Sequence, residues 1–254
     1  MLLPVPALAD NYIWLLSTDA GADPLVVDPG DAAPVLQALD GRTPGGILLT
    51  HHHDDHIGGT AELLRHWPQL PVFAPHDERI AVPATRVHPG DAVSVGPWAF
   101  TVLDMAGHTR SHVAFHGHGV VFCGDTLFSL GCGRLFEGTA AQMLAALDRL
   151  AALPDTTWVC CAHEYTQANA AFAQVVDADN PTLLQRAAQV RAQRAAAQPT
   201  LPTRLGAERA ANPFLRVDAP AVRAAVLAQA GLPADASRVD VFAALRRWKD
   251  GFRA

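Results

Sequence analysis

Short apolar runs rich in Val, Ile and Leu, several ended by Gly or Asp, recur through the first two thirds of the chain, at 13–16, 25–27, 47–49, 101–103, 120–123 and 158–161. Runs of this length between turn formers predict buried strands. Helical stretches lie between them. One covers 140–153, where Thr139 and Gln142 stand at the spacing of a capping box. From about Thr166 the strand signal stops and Ala-rich segments follow at 167–176, 181–198, 220–230 and 239–249. Asn180 before Pro181 and Asp218 just before Pro220 look like helix starts, and 198–204, with Pro199 and Pro202, reads as a loop. The pattern predicts an α/β domain over 1–165 and an all-helical module over 166–254.

Half of the 254 residues are hydrophobic and 17% are charged, which excludes a disordered chain or a coiled coil. The 19 basic and 25 acidic residues leave a net charge of −6, so bulk positive charge cannot recruit nucleic acid, although a local basic patch stays open. The first residues have no basic segment ahead of an apolar run, so no signal peptide is expected. No stretch approaches the ~20 apolar residues of a membrane span, and no membrane partner is expected. Cys123, Cys132, Cys160 and Cys161 form no C-x-x-C pair, and the adjacent two are poorly placed to bridge each other. A reducing cytoplasm is the expected location.

The segment from Thr50 to Gly59, Thr-His-His-His-Asp-Asp-His-Ile-Gly-Gly, changes the picture. It follows directly on an apolar run, so four histidines and two carboxylates stand at a strand end, where loops present functional groups. Such residues are costly to bury unpaired. At alternate positions His51, His53 and Asp55 can converge, with His56 following, while His52 and Asp54 point away. Imidazole and carboxylate suit zinc and its borderline-soft neighbours, with three or four protein ligands per ion. Further donors stand at other strand ends or Gly turns: His108 after Gly107, Asp125 in Cys-Gly-Asp-Thr, and His163 in Cys-Ala-His-Glu.

The ordered series T-H-x-H-x-D-H, G-H-T, G-D-T-L-F and A-H-E-Y-T resembles the signature of the metallo-β-lactamase superfamily, and within it that of the hydroxyacylglutathione hydrolases, or glyoxalase II. The similarity runs from Asp10-Asn11-Tyr12 to Arg246-Arg-Trp-Lys249. The resemblance implies an αββα metallo-β-lactamase sandwich followed by a smaller all-helical C-terminal domain. It implies two divalent metal ions, zinc first with iron or manganese as alternatives. His51, His53 and His108 resemble the ligands of one ion, Asp55, His56 and His163 those of the other, and Asp125 the bridging carboxylate. Asp28 matches a supporting Asp of the family, with a strand-ending turn as the equal alternative. His112, preceded by Ser111 where the family often has Gly, is either a support for the ligands or an ordinary structural residue.

The implied reaction is hydrolysis of an S-(2-hydroxyacyl)glutathione, typically S-D-lactoylglutathione, by a metal-bridging hydroxide that Asp55 helps to hold. A thiolate leaves without a positioned acid, whereas an amine normally needs one, and no dedicated acid stands near the motif. That favours a thioester and leaves an activated ester or lactone open. The resemblance carries glutathione contacts onto Arg134, Tyr165, Asn169, Arg246 and Lys249. Cations there suit a ligand with two carboxylates, while Arg246 and Lys249 also fit an ordinary solvated helix face. Within the same fold, persulfide dioxygenases share much of the motif but use one iron and typically lack the helical tail. A small-molecule partner and a monomeric chain are expected.

Overall fold

Pro4 and Pro6 confine the first strand to a sheet edge, since neither can donate to a ladder. The computed structural model, which describes residues 1–18, 21 and 23–253, places β1 (Leu2–Ala7) at that edge, antiparallel to the wholly buried β2 (Asn11–Leu16). Ala254, the last residue of the expected helical module, lies outside the described residues. Strands β3 (Leu25–Val27), β4 (Gly46–Leu48), β5 (Val72–Pro75) and β6 (Thr85–Val87) continue the sheet, parallel to one another from β3 onward. Parallel neighbours need crossovers. Helix α1 (Ala32–Leu39) supplies the one between β3 and β4; Asp31 caps it, and Ala32, Val35 and Leu39 bury one face. Helices α2 (Asp54–Ile57) and α3 (Thr60–His66) lie between β4 and β5. The Thr50–Gly59 segment therefore leaves the end of a buried parallel strand, where the apolar run placed it.

Strands β7 (Ala92–Val95), β8 (Trp98–Asp104), β9 (Val113–Gly117) and β10 (Val120–Gly124) form an antiparallel meander. Strand Trp158–Cys161 continues the order beyond β10. Met1–Met105, Ser111–Gly124 and Cys160–His163 make one of two compact units, so Trp158 and Val159 of the last strand are counted with the other.

The other unit comprises Ala106–Arg110, Asp125–Val159 and Glu164–Ala254. It contains a short hairpin of Leu127–Phe128 and Gly131–Cys132, α4 (Ala140–Ala151), α5 (Thr166–Val176), α6 (Pro181–Ala195), α7 (Leu205–Ala211), α8 (Pro220–Ala230) and α9 (Arg238–Gly251). The capping box of Thr139 and Gln142 is formed, and Asn180 accepts from the backbone N–H of Thr182 and Leu183. Asp218 does not cap α8. Ala219 is the cap residue, with no side-chain bond, and Asp218 accepts from Arg238 instead. The segment expected as a loop contains a strand, Thr203–Arg204, which pairs with Trp158 and Val159. Arg204 stacks its guanidinium 3.4 Å from the Trp158 ring centroid, a contact no propensity reveals. Among the described residues no helix is long and apolar enough to cross a membrane.

A buried Glu208 organises this unit. Its carboxylate accepts from Ser129 Oγ (2.8 Å), Leu130 N (2.7 Å), Thr203 Oγ1 (2.9 Å) and Asn212 Nδ2 (3.1 Å). Burial raises its pKa above the ordinary carboxyl value, opposed by those four hydrogen bonds. The hairpin is thus tied to α7 and the turn after it. Asn212 adds bonds to the carbonyls of Phe128 and Gly131.

Candidate metal centre and substrate pocket

The loop after β4 is held by Asp28, the residue after β3. Asp28 accepts from Thr50 N (2.7 Å), Thr50 Oγ1 (2.7 Å) and His56 Nδ1 (3.0 Å). It is buried and has a positive φ of 52°, a left-handed conformation that Asp tolerates better than bulkier residues. So the turn reading and the supporting reading describe one residue: the turn aims the carboxylate at the loop. Gly30 lets the loop approach closely, since a Cβ there would overlap the Asp55 carbonyl.

These bonds decide which ring nitrogen each histidine offers. His56 gives its Nδ1–H to Asp28, which leaves Nε2 as the donor atom. Thr50 Oγ1 gives its proton to Asp28, so its oxygen accepts from His51 Nδ1 at 3.1 Å, and His51 also presents Nε2. That nitrogen lies 3.0 Å from His53 Nδ1. His163 Nδ1 lies 2.7 Å from Asp10 Oδ1, again leaving Nε2.

Asp55 Oδ2 stands 3.7 Å from His56 Nε2 and 3.4 Å from His163 Nε2. One donor atom from each of the three lies within 4.8 Å of the others. Neutral imidazoles in these tautomers aim two lone pairs at a carboxylate, a repulsive arrangement that a cation turns into an attractive one. The donor set therefore fits a divalent metal.

His112 packs behind the first ligands. Its buried ring stacks on His51 at 4.6 Å and 17°. Gly124 (φ 46°) permits this, because a Cβ there would lie 2.8 Å from His112 Nε2 and overlap the Thr50 hydroxyl. His52 turns to Asp77 (3.5 Å), whose carboxylate also accepts from Ser111 Oγ (2.6 Å) and Arg79; the Arg79 hydrogen bond holds the Asp77 pKa far below the usual range.

In the second unit His108 gives Nδ1–H to the Arg134 carbonyl (2.9 Å) and sets Nε2 3.4 Å from Asp125 Oδ2. Gly133 is required beside them, since a Cβ would overlap the Asp125 carbonyl. His108 and Asp125 line a cavity of about 420 Å³ whose wall also contains Arg134, Tyr165, Asn169, Arg246 and Lys249. The five residues expected to contact glutathione thus share one cavity with two of the expected metal ligands.

Their settings differ. Arg246 is buried, not a solvated face residue. It donates to the Cys132 carbonyl (2.6 Å) and to Asp250 Oδ1 (3.1 Å), and its guanidinium lies 5.1 Å from the Phe214 ring centroid. Lys249, one turn on, donates to the Ala168 carbonyl (3.3 Å). Burial first, then the neighbouring charges of Arg246 and Arg134, lower its pKa below the ordinary lysine value. Arg134 is exposed, 3.8 Å from Asp250. Asn169 donates its amide to the Ser129 carbonyl (3.1 Å), and Tyr165 packs edge-on to Phe128 at 5.2 Å. Four cations, Arg134, Arg246, Lys249 and Arg253, against the carboxylate of Asp250 make this part of the cavity receptive to an anion. Asp250, Cys132, Phe128 and Phe252 were not singled out from the sequence, because nothing in a lone residue's neighbours marks it as cavity wall.

Histidine and carboxylate donors at strand ends, on a sheet that turns parallel after a wholly buried strand, define a metallohydrolase of the metallo-β-lactamase superfamily, and residues 10–163 match the model of that superfamily. Residues 164–252 match the model described as hydroxyacylglutathione hydrolase C-terminus. The chain belongs to the hydroxyacylglutathione hydrolase family. A hydroxyacylglutathione hydrolase of Xanthomonas campestris pv. campestris is 56% identical over 255 residues, covering 100% of this chain and 99% of the relative. One from Xylella fastidiosa is 53% identical, covering 99% and 97%. Among solved structures, a protein in a di-iron-bound form, TTHA1623, is 29% identical with a TM-score of 0.61, covering 84% of this chain and all of that one. ETHE1 from Myxococcus xanthus, at 23% identity and a TM-score of 0.65 over 98% and 99%, shares the fold.

Proposed function

We propose that this chain hydrolyses the thioester of S-(2-hydroxyacyl)glutathione, with S-D-lactoylglutathione as the representative substrate, to glutathione and D-lactate, the second step of methylglyoxal detoxification. The observation that carries the reading is the cavity that holds both a His108–Asp125 pair and the cations of Arg134, Arg246 and Lys249. As the resemblance implies, His51, His53 and His108 would hold one divalent ion and Asp55, His56 and His163 the other, with Asp125 completing the donor set. Zinc is the first choice, and the di-iron-bound neighbour keeps iron open, with manganese the third candidate. When bound, such ions supply Lewis acidity, lowering the pKa of water from about 15.7 to about 7 and stabilising negative charge on the carbonyl oxygen.

The chain's own groups do the rest. The Asp55 carboxylate accepts a hydrogen bond from the attacking water and fixes its direction. Arg246, Lys249 and Arg134 hold the glutathione carboxylates, with Tyr165 and Asn169 beside them. The glutathione thiol, with a pKa about 8.5, leaves as thiolate, so no proton need be delivered to it. Residues 1–165 supply all seven metal donors and 166–254 three of the five glutathione contacts. The reading includes a monomeric, cytoplasmic chain without nucleic-acid or membrane partners.

The test is thiol release from S-D-lactoylglutathione by the purified, metal-analysed protein, beside the same acyl group on a thiol lacking the glutathione carboxylates. Hydrolysis should depend on metal and favour the glutathione thioester. Equal rates on both substrates would remove the glutathione assignment.

A further inference from the structure

We propose that Asp10, the residue before β2, and Asn11, the first residue of β2, are positioning residues of the Asp55–His56–His163 site, Asp10 setting the ring of His163 and Asn11 the carboxylate of Asp55. The proposal rests on the metal assignment above and adds two residues to it.

Backbone bonds bring the pair to the site independently of their side chains. Tyr12 N donates to the Ala162 carbonyl (2.6 Å), Asn11 and His163 form an antiparallel bridge, and Trp14 Nε1 donates to the Cys161 carbonyl (3.1 Å). The start of β2 is therefore stitched beside the segment that ends in His163. Asp10 then lies 2.7 Å from His163 Nδ1, and its negative charge holds the Nδ1–H tautomer and raises the basicity of Nε2. Asn11 uses one amide nitrogen twice, donating to Asp55 Oδ2 (3.0 Å) and to the Asp55 carbonyl (3.2 Å). A single group thus fixes both the rotamer and the backbone of this ligand.

A purely structural role fits Asp10 poorly. Its side chain is 41% exposed, and exposed carboxylate pairs add little to stability. Asp28 is different. It makes the analogous bond to His56 but is buried and also holds Thr50, so its loss would disturb the loop as a whole. Asp10, being exposed, separates ligand orientation from folding.

The experiment uses the full chain reconstituted with zinc and titrated with a chromogenic zinc chelator. The variants are Asp10→Ala, Asp10→Asn, Asn11→Ala and, as a control, His163→Ala. Asp10→Ala and Asn11→Ala should each weaken one zinc equivalent by about 10-fold to 100-fold and leave the other unchanged. Asp10→Asn, which retains an acceptor without charge, should recover part of that loss. The metal-free Asp10 variants should melt within a degree or two of the metal-free parent, on the order expected when no buried group is lost, whereas Asn11→Ala removes a buried amide and is read by which zinc equivalent it weakens. Wild-type affinity for both equivalents in both alanine variants, with a loss in His163→Ala, would overturn the positioning roles alone. Equal weakening of both equivalents together with a lower metal-free melting point would also overturn them, in favour of a structural role. Retention of both equivalents in His163→Ala would overturn the ligand assignment and this proposal with it.

Discussion

Truncating Arg246 and truncating Lys249 should have different consequences, although the two residues are one turn apart on α9 and face the same cavity. Arg246 is buried, and its Nη1 satisfies the Cys132 carbonyl within the hairpin. Arg246→Ala leaves that carbonyl without its donor, at a cost of about 1–3 kcal/mol, and removes the guanidinium from the Phe214 face, about 1 kcal/mol more. A loss of roughly 2–4 kcal/mol in a chain of this size lowers Tm by roughly 4–16 °C. Lys249 makes one longer bond to the Ala168 carbonyl. Lys249→Met retains most of the stem and should leave Tm within about 2–4 °C. Against substrate, each loses a charge-assisted hydrogen bond to a carboxylate, about 1.5–3 kcal/mol, or roughly 10-fold to 150-fold in KM. These contacts lie away from the reacting carbonyl, so kcat should change little. The assay is steady-state thiol release from S-D-lactoylglutathione and from a small thioester without carboxylates, beside thermal melts. Lys249→Met should raise KM for the first substrate only. An equal rise on both, or a fall in kcat with KM unchanged, would refute the anion-binding role, and an unchanged Tm in Arg246→Ala would refute the structural one.

Asp55→Ala should lower kcat by more than about tenfold, at least ~1.4 kcal/mol of transition-state stabilisation, with an unchanged circular dichroism spectrum; retention of more than a tenth of the activity counts against its role. Metal analysis after gentle purification should give about two equivalents per chain, and a reproducible single equivalent with full activity would exclude the two-ion reading. Because burial and the neighbouring Arg246 and Arg134 lower the Lys249 pKa, KM should rise with pH before the ordinary lysine value of 10.5 is reached, as the cation is lost; Lys249→Arg should remove that rise. Glu208→Ala should cost about 3–5 kcal/mol by leaving buried donors unpaired, whereas Glu208→Gln should cost under about 1.5, since Ser129 and Thr203 can turn their hydroxyls to accept from the new amide. Burial raises the Glu208 pKa above 4.5, so the folded protein holds its proton longer. Wild type should therefore lose stability as pH rises from about 4.5 through that raised value, and Glu208→Gln should not, as measured by denaturant midpoints.

The elements legible in the sequence were those whose signal is local. Runs such as 25–27 and 120–123 are apolar on both faces and end at turn formers, and the Thr139–Gln142 box and the Asn180 cap need only neighbours within three residues. What escaped depends on distant partners. β1 carries two prolines and reads as coil until β2 gives it a ladder, and Thr203–Arg204 is a strand only because Trp158 and Val159 lie beside it. Asp218 shows the converse. Its local context favours a cap, but the longer-range pairing with Arg238 takes the side chain away. In the candidate site the donors were legible, since His, Asp and Gly cluster at strand ends. Arg246 was legible as a cation but not as a buried one, because its spacing to Lys249 fits a solvated helix face equally well.

The same distinction separates a ligand motif from a working ligand. Spacing in the chain brings His51, His53, Asp55 and His56 together, but it does not choose which nitrogen of a ring faces outward. That choice comes from acceptors elsewhere in the chain: Asp28 from the end of β3, Asp10 from the turn before β2, Thr50 through its hydroxyl, and the carbonyl of Arg134. The acceptors also differ in charge. His56 and His163, assigned to one ion, each lean on a carboxylate; His51 and His108, assigned to the other, lean on a hydroxyl and a carbonyl. A charged acceptor makes its imidazole the better donor. Two ions bound by similar sets of side chains would thus be held with unequal strength, and that inequality lets a chelator titration resolve the effect of Asp10 or Asn11 on one of them.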